Sequence, residues 1–137
     1  MAPEVFLRKL TYLRQILADL APFQGASLAQ VEAEHYKLER ILELLVMAAS
    51  DILHHLLAER GITPSSYRET FKLAAEQNLV PADLAARLQD AASMRNVIVH
   101  LYEQINYTIL RDSIAPALED FRQFVALFET ELDDKTP

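Results

Sequence analysis

Apolar residues recur at intervals of three and four along nearly the whole chain, and this period restricts the fold more than any other feature. Phe6, Leu10, Leu13, Leu17 and Leu20 form one series, and Leu38, Ile41, Leu42, Leu45, Ala49, Ile52 and Leu56 a second. Leu84, Leu88, Ala91, Ala92 and Met94 make a third, and Ile109, Ile114, Leu118, Phe121, Val125 and Phe128 a fourth. Residues so spaced share one face of an α-helix, whereas a strand needs alternation. Only two glycines and 51% hydrophobic residues in 137 argue against a turn-rich β fold and against disorder. The pattern predicts an all-α, single-domain protein spanning 1–137.

Punctuation between the series sets the elements. A first helix runs from about Pro3 to Leu20 and ends at Pro22 and Gly25. Ser27 with Gln30 has capping-box spacing and opens a long helix to about Arg60, closed by Gly61. Ser66 with Glu69 repeats that spacing before a short helix to about Asn78, and Pro81 suits the first turn of the next. A last helix covers roughly Asn106 to Leu132, with Pro116 either kinking it or marking its start, and 133–137 form a frayed tail. The expectation is an antiparallel bundle of about five helices.

The chain has no cysteine, which removes disulfides, thiolate metal sites and thiol nucleophiles. Arg8, Lys9 and Arg14 interrupt the first apolar series, and no stretch approaches the ~18 uncharged residues of a membrane span, so a cytoplasmic protein is expected. A net charge of −7 disfavours a general nucleic-acid binder, and any RNA contact must use a local basic cluster or a cleft between two copies.

One stretch departs from plain helical sequence: Arg95-Asn96-Val97-Ile98-Val99-His100-Leu101-Tyr102. Val97-Ile98-Val99 favours a strand locally but has no strand to pair with, so it should stay helical. At 100° per residue Arg95 and Tyr102 share a face, Asn96 and His100 share a neighbouring one, and Arg95 and His100 stand about 140° apart. A straight helix cannot aim both at one small group, so either the helix loosens near His100 or two copies meet across a two-fold axis. The residues by themselves are read first as a structural set, common enough within eight positions of a bundle: a snorkelling arginine, a hydrogen-bonded histidine and a rim tyrosine.

Arg-Asn, three residues, His, one residue, Tyr resembles the signature of the HEPN superfamily, in particular the HepT-like toxins of toxin–antitoxin pairs. The likeness extends to Leu42-Glu43 through Asp51-Ile52 and His54, the Gly61 break, and Pro64-Ser65-Ser66-Tyr67-Arg68-Glu69-Thr70-Phe71 with Leu73. The resemblance implies a homodimer acting as a metal-independent endoribonuclease without a cofactor, the toxin of a type VII-like pair. Its partner would be a nucleotidyltransferase antitoxin of the MNT type. On that reading His100 moves the proton of an RNA 2′-hydroxyl or of the leaving 5′-oxygen, Arg95 stabilises the phosphoryl charge, and Asn96 orients phosphate or imidazole. Tyr102 would be the residue to which the antitoxin transfers AMP, closing the site, and Asp51 and His54 would support the dimer or the cleft.

Other readings are weaker. Glu32, Glu34 and His35, or Asp51 and His54, have metal-ligand spacing without the further inward carboxylates a bundle di-metal site requires. Of the neighbours His54 and His55 at most one can look inward, and a buried structural histidine beside Asp51 is expected. Tyr36, Tyr67 and Phe71 fit core or interface better than stacking on RNA. The alternative from a different class is a non-catalytic HEPN module that holds a nucleotide or assembles with a nucleotidyltransferase.

Overall fold

The computed structural model describes residues 1–100 and 105–135, with side chains described for 1–94 and 105–130. The described residues form a bundle of α1 (Pro3–Leu20), α2 (Leu28–Ala33), α3 (His35–Ala58), α4 (Tyr67–Glu76), α5 (Ala82–His100) and α6 (Tyr107–Lys135), with a 3-10 turn at Ala21–Phe23. All four apolar series face the core, where Leu10, Leu13, Leu38, Leu45, Ile52, Leu88, Phe121 and Phe128 are essentially inaccessible to water. α3 is the central element, packed against α1, α4, α5 and α6. By length and composition α3 could cross a membrane, contrary to the expectation that no stretch comes near a span, but 56% of its apolar window is buried inside the bundle.

The predicted long helix from Ser27 is two helices. Glu34 leaves helical geometry at φ −112° and ψ 20°, ending α2 and opening α3. Only Val31 is buried between Leu28 and Tyr36, so few core contacts hold the chain helical through the break. The Ser27–Gln30 capping box is present in both directions. At Ser66 only half of it forms: the hydroxyl accepts from Glu69 N–H, while the Glu69 carboxylate turns back to the Ser65 N–H and hydroxyl.

α3 ends in a Schellman arrangement, with Gly61 at φ +75°, Ile62 N–H on the Leu57 carbonyl and Gly61 N–H on that of Ala58. Asn78, at φ 59°, closes α4 in the same manner. Asn106 caps α6, its Oδ1 accepting from Ile109 N–H, and Pro116 lies inside the helix rather than at its start.

Candidate functional site

α5 carries the Arg95-to-His100 stretch and is helical through His100, including Val97-Ile98-Val99. The side chains of Arg95, Asn96 and His100 lie outside the described residues, as does Tyr102 altogether. What the structure defines is the frame on either side of them.

On the N-terminal side, Arg68 of α4 reaches across to α5. Its Nη1 donates to Ser93 Oγ at 2.6 Å and to the Gln89 carbonyl at 3.3 Å. Arg87 ties α5 to α6: its Nε donates to Asp120 at 2.8 Å and its Nη2 to Gln123 at 2.8 Å. The hydrogen bond to Asp120 raises the Arg87 pKa above its ordinary value against the opposing effect of desolvation, with Coulombic attraction to the same carboxylate and contact with Asp83 adding to the rise. Between α3, α5 and α6 lies a groove of about 270 Å³ whose floor includes Leu42, Ala91, Met94 and Phe121. Among the described residues, Glu39, Asp90, Asp112 and Asp120 line it beside the cation of Arg87.

On the C-terminal side, the His35 ring lies against Tyr107 in an edge-on arrangement at 5.5 Å, and its Nδ1 is 2.8 Å from Glu39. Tyr107 opens α6, five residues after Tyr102 in sequence. His35 is thus engaged with Glu39, while Glu32 and Glu34 are exposed, and among the described residues no three potential ligands gather to hold a metal.

The expected buried histidine on α3 is absent. His54 and His55 are both exposed, and it is His55 that approaches Asp51, at 3.6 Å. Ile52, Leu53, Leu56 and Leu57 take the inward positions and leave 51, 54 and 55 outside. Asp51 also bonds Lys9, and together with His54, Tyr12 and Tyr67 these residues line a shallow groove on the outer face of α3. Phe71 is fully buried as expected, whereas Tyr67 is 37% and Tyr36 81% exposed, so Tyr36 is no part of the core.

Sequence reasoning missed Arg68–Ser93, Arg87–Asp120 and His35–Tyr107. The i,i+4 spacing of His35 with Glu39 and of Asp83 with Arg87 was a readable signal, but partners 25 and 33 residues apart leave none.

Residues 9–128 match the model of the family described as Ribonuclease HepT-like. This chain belongs to that family. A relative from Shewanella oneidensis, named mRNA nuclease HepT, is 33% identical over 85 residues, covering 61% of this chain and 64% of the relative. The chain therefore spans slightly less than two thirds of that relative. A tRNA nuclease HepT from Aphanizomenon flos-aquae is 27% identical over 128 residues, 90% of this chain and 86% of that one. Among solved structures, a tri-AMPylated Shewanella oneidensis HEPN toxin in complex with its MNT antitoxin superposes with a TM-score of 0.81 at 24% identity, over 95% of this chain and 99% of that one. A toxin–antitoxin complex named MntA-HpeT gives 0.79 at 25% identity, over 93% and 98%. The HepT-like bundle is the one built here from α1 to α6.

Proposed function

We propose that this chain is the toxin of a toxin–antitoxin pair, a metal-independent endoribonuclease of the cytoplasm that a nucleotidyltransferase antitoxin silences by AMP transfer. The observation that carries the reading is the Arg95-Asn96, His100, Tyr102 series inside a family match that runs from residue 9 to 128. The names of the relatives, mRNA and tRNA nucleases, support RNA as substrate.

In this reading an RNA 2′-oxygen attacks its own phosphorus, the bond to the 5′-oxygen breaks, and a 2′,3′-cyclic phosphate and a 5′-hydroxyl result. One imidazole takes the 2′-hydroxyl proton and one returns a proton to the 5′-oxygen, work suited to a group that titrates near neutrality. Arg95 bears on the charge that builds on the non-bridging oxygens, and Asn96 orients the phosphate. Because α5 stays helical through His100, Arg95 and His100 of one chain stand on different faces, about 140° apart. A homodimer, in which Arg95 of one copy complements His100 of the other, resolves this.

Silencing follows from Tyr102. Its phenolic oxygen attacks the α-phosphorus of ATP, an O–P bond forms, pyrophosphate leaves, and the adenylyl phosphate then stands where the RNA phosphate would bind. The AMPylated toxin in complex with its antitoxin, among the structural neighbours, supports this. Co-expression with the nucleotidyltransferase encoded beside it tests the claim: the intact mass should rise by whole AMP units, tandem mapping should place one on Tyr102, and Tyr102→Phe should abolish that one. An unmodified wild-type chain beside a demonstrably active partner would overturn the reading of Tyr102 and favour a binding module.

A further inference from the structure

Arg68 is an exposed cation held in an unusual place. It lies in the first turn of α4, where the positive end of the helix dipole disfavours it, and it is bonded across to α5 through neutral acceptors, the Ser93 hydroxyl and the Gln89 carbonyl. Five of the eleven lysines and arginines with described side chains are matched to carboxylates: Lys9 to Asp51, Arg14 to Glu129, Arg40 to Glu43, Arg87 to Asp83 and Asp120, and Arg111 to Asp112. Arg60, which also bonds neutral oxygens, caps the carbonyl end of α4 at Gln77, where a cation is favoured. Arg68 has no such reason to be where it is.

Both of its bonds use Nη1 alone, so the Nε and Nη2 edge has no acceptor among the described residues. That edge is the fork with which a guanidinium chelates a phosphate. Its position on α5 is equally telling. At 100° per residue, positions 89, 93, 96 and 100 fall within about 60° of one another on the helix. Arg68 is therefore fixed to the α5 face on which Asn96 and His100 lie, about 5 Å along the axis from position 96 and about 10 Å from position 100.

We infer that Arg68 is a phosphate-binding subsite for the RNA, gripping a backbone phosphate next to the one that is cut, with Ser93 and the Gln89 carbonyl holding the guanidinium in place. This rests on the nuclease reading and gives an acidic protein a local cation where the RNA strand would pass the motif.

The test compares the full-length protein with Arg68→Gln and Arg68→Lys on two probes: a single-stranded oligoribonucleotide, and a dinucleoside monophosphate, which offers only the scissile phosphate. Binding is read by fluorescence anisotropy and competition across a salt series, and cleavage separately. For the oligomer, Arg68→Gln should weaken binding by about tenfold at low salt and flatten the dependence of log K on log salt by about 0.7, the share of one phosphate on a single strand. Arg68→Lys should restore the slope, and the dinucleotide should be bound and cut alike by all three proteins.

Equal losses on both probes would show that Arg68 only positions α5, and an unchanged oligomer affinity would remove it from RNA binding; either result overturns the proposal. A wild-type protein that binds the oligomer without cutting it would refute the nuclease reading alone, the affinity comparison still deciding Arg68. One that does not bind it refutes both.

Discussion

Gly61 takes φ +75° at the end of α3, and a Cβ placed there would meet nothing within 4 Å. Sterics with neighbours therefore do not select glycine; the backbone conformation does, since an L side chain in the left-handed region crowds its own carbonyl. Gly61→Ala should lower stability by about 1–2 kcal/mol in urea or guanidinium unfolding, with no loss of helix content. An unchanged midpoint would mean that the left-handed cap is not held in solution. The site residues divide on the same scale. Arg95, Asn96, His100 and Tyr102 were legible as a series because their spacing is local. Arg68 was visible only as a member of the Pro64-to-Phe71 block, because its bond to Ser93 joins residues that the chain brings together only after α4 and α5 pack.

Among the elements, α3 accounts for most of what the period of the sequence made readable. Its inward stripe, Leu38, Ile41, Leu45, Ala49, Ile52 and Leu56, is buried throughout, and Leu53 adds a fully covered side chain at its centre. Leu53→Ala should therefore cost about 2–5 kcal/mol of stability, the transfer and cavity cost of a core leucine, whereas Tyr36→Ala at 81% exposure should change it by no more than about 0.5 kcal/mol. Equal effects of the two, read from unfolding midpoints, would contradict the placement of the core. The break at Glu34 escaped the same reading for a physical reason. Val31 and Leu38 are seven apart, a spacing that stays on one helix face, so the apolar period reads through Glu34, the non-helical residue between them. Periodicity reports which residues face inward and not whether the hydrogen-bond ladder connecting them is unbroken.

At the scale of the whole molecule, a chain of net charge −7 places its candidate chemistry at the end of α5, between an acidic groove on one side and the Arg68 cation on the other. The bundle holds that end from three directions: Arg68 from α4, Arg87–Asp120 to α6, and His35 against Tyr107 where α6 begins. Such a frame fixes the chain on either side of the motif segment. The central claim is that this segment cleaves RNA through His100 without a metal. The most direct measurement is cleavage of RNA by the purified, unmodified protein in the presence of excess EDTA, with the product ends identified and a folded His100→Ala protein run beside it. The account predicts 2′,3′-cyclic phosphate ends from the wild type and a rate lower by about 10²–10⁴-fold in the variant, the range of general acid–base catalysis. Cleavage that EDTA abolishes, or that His100→Ala carries out as fast as the wild type, would contradict it.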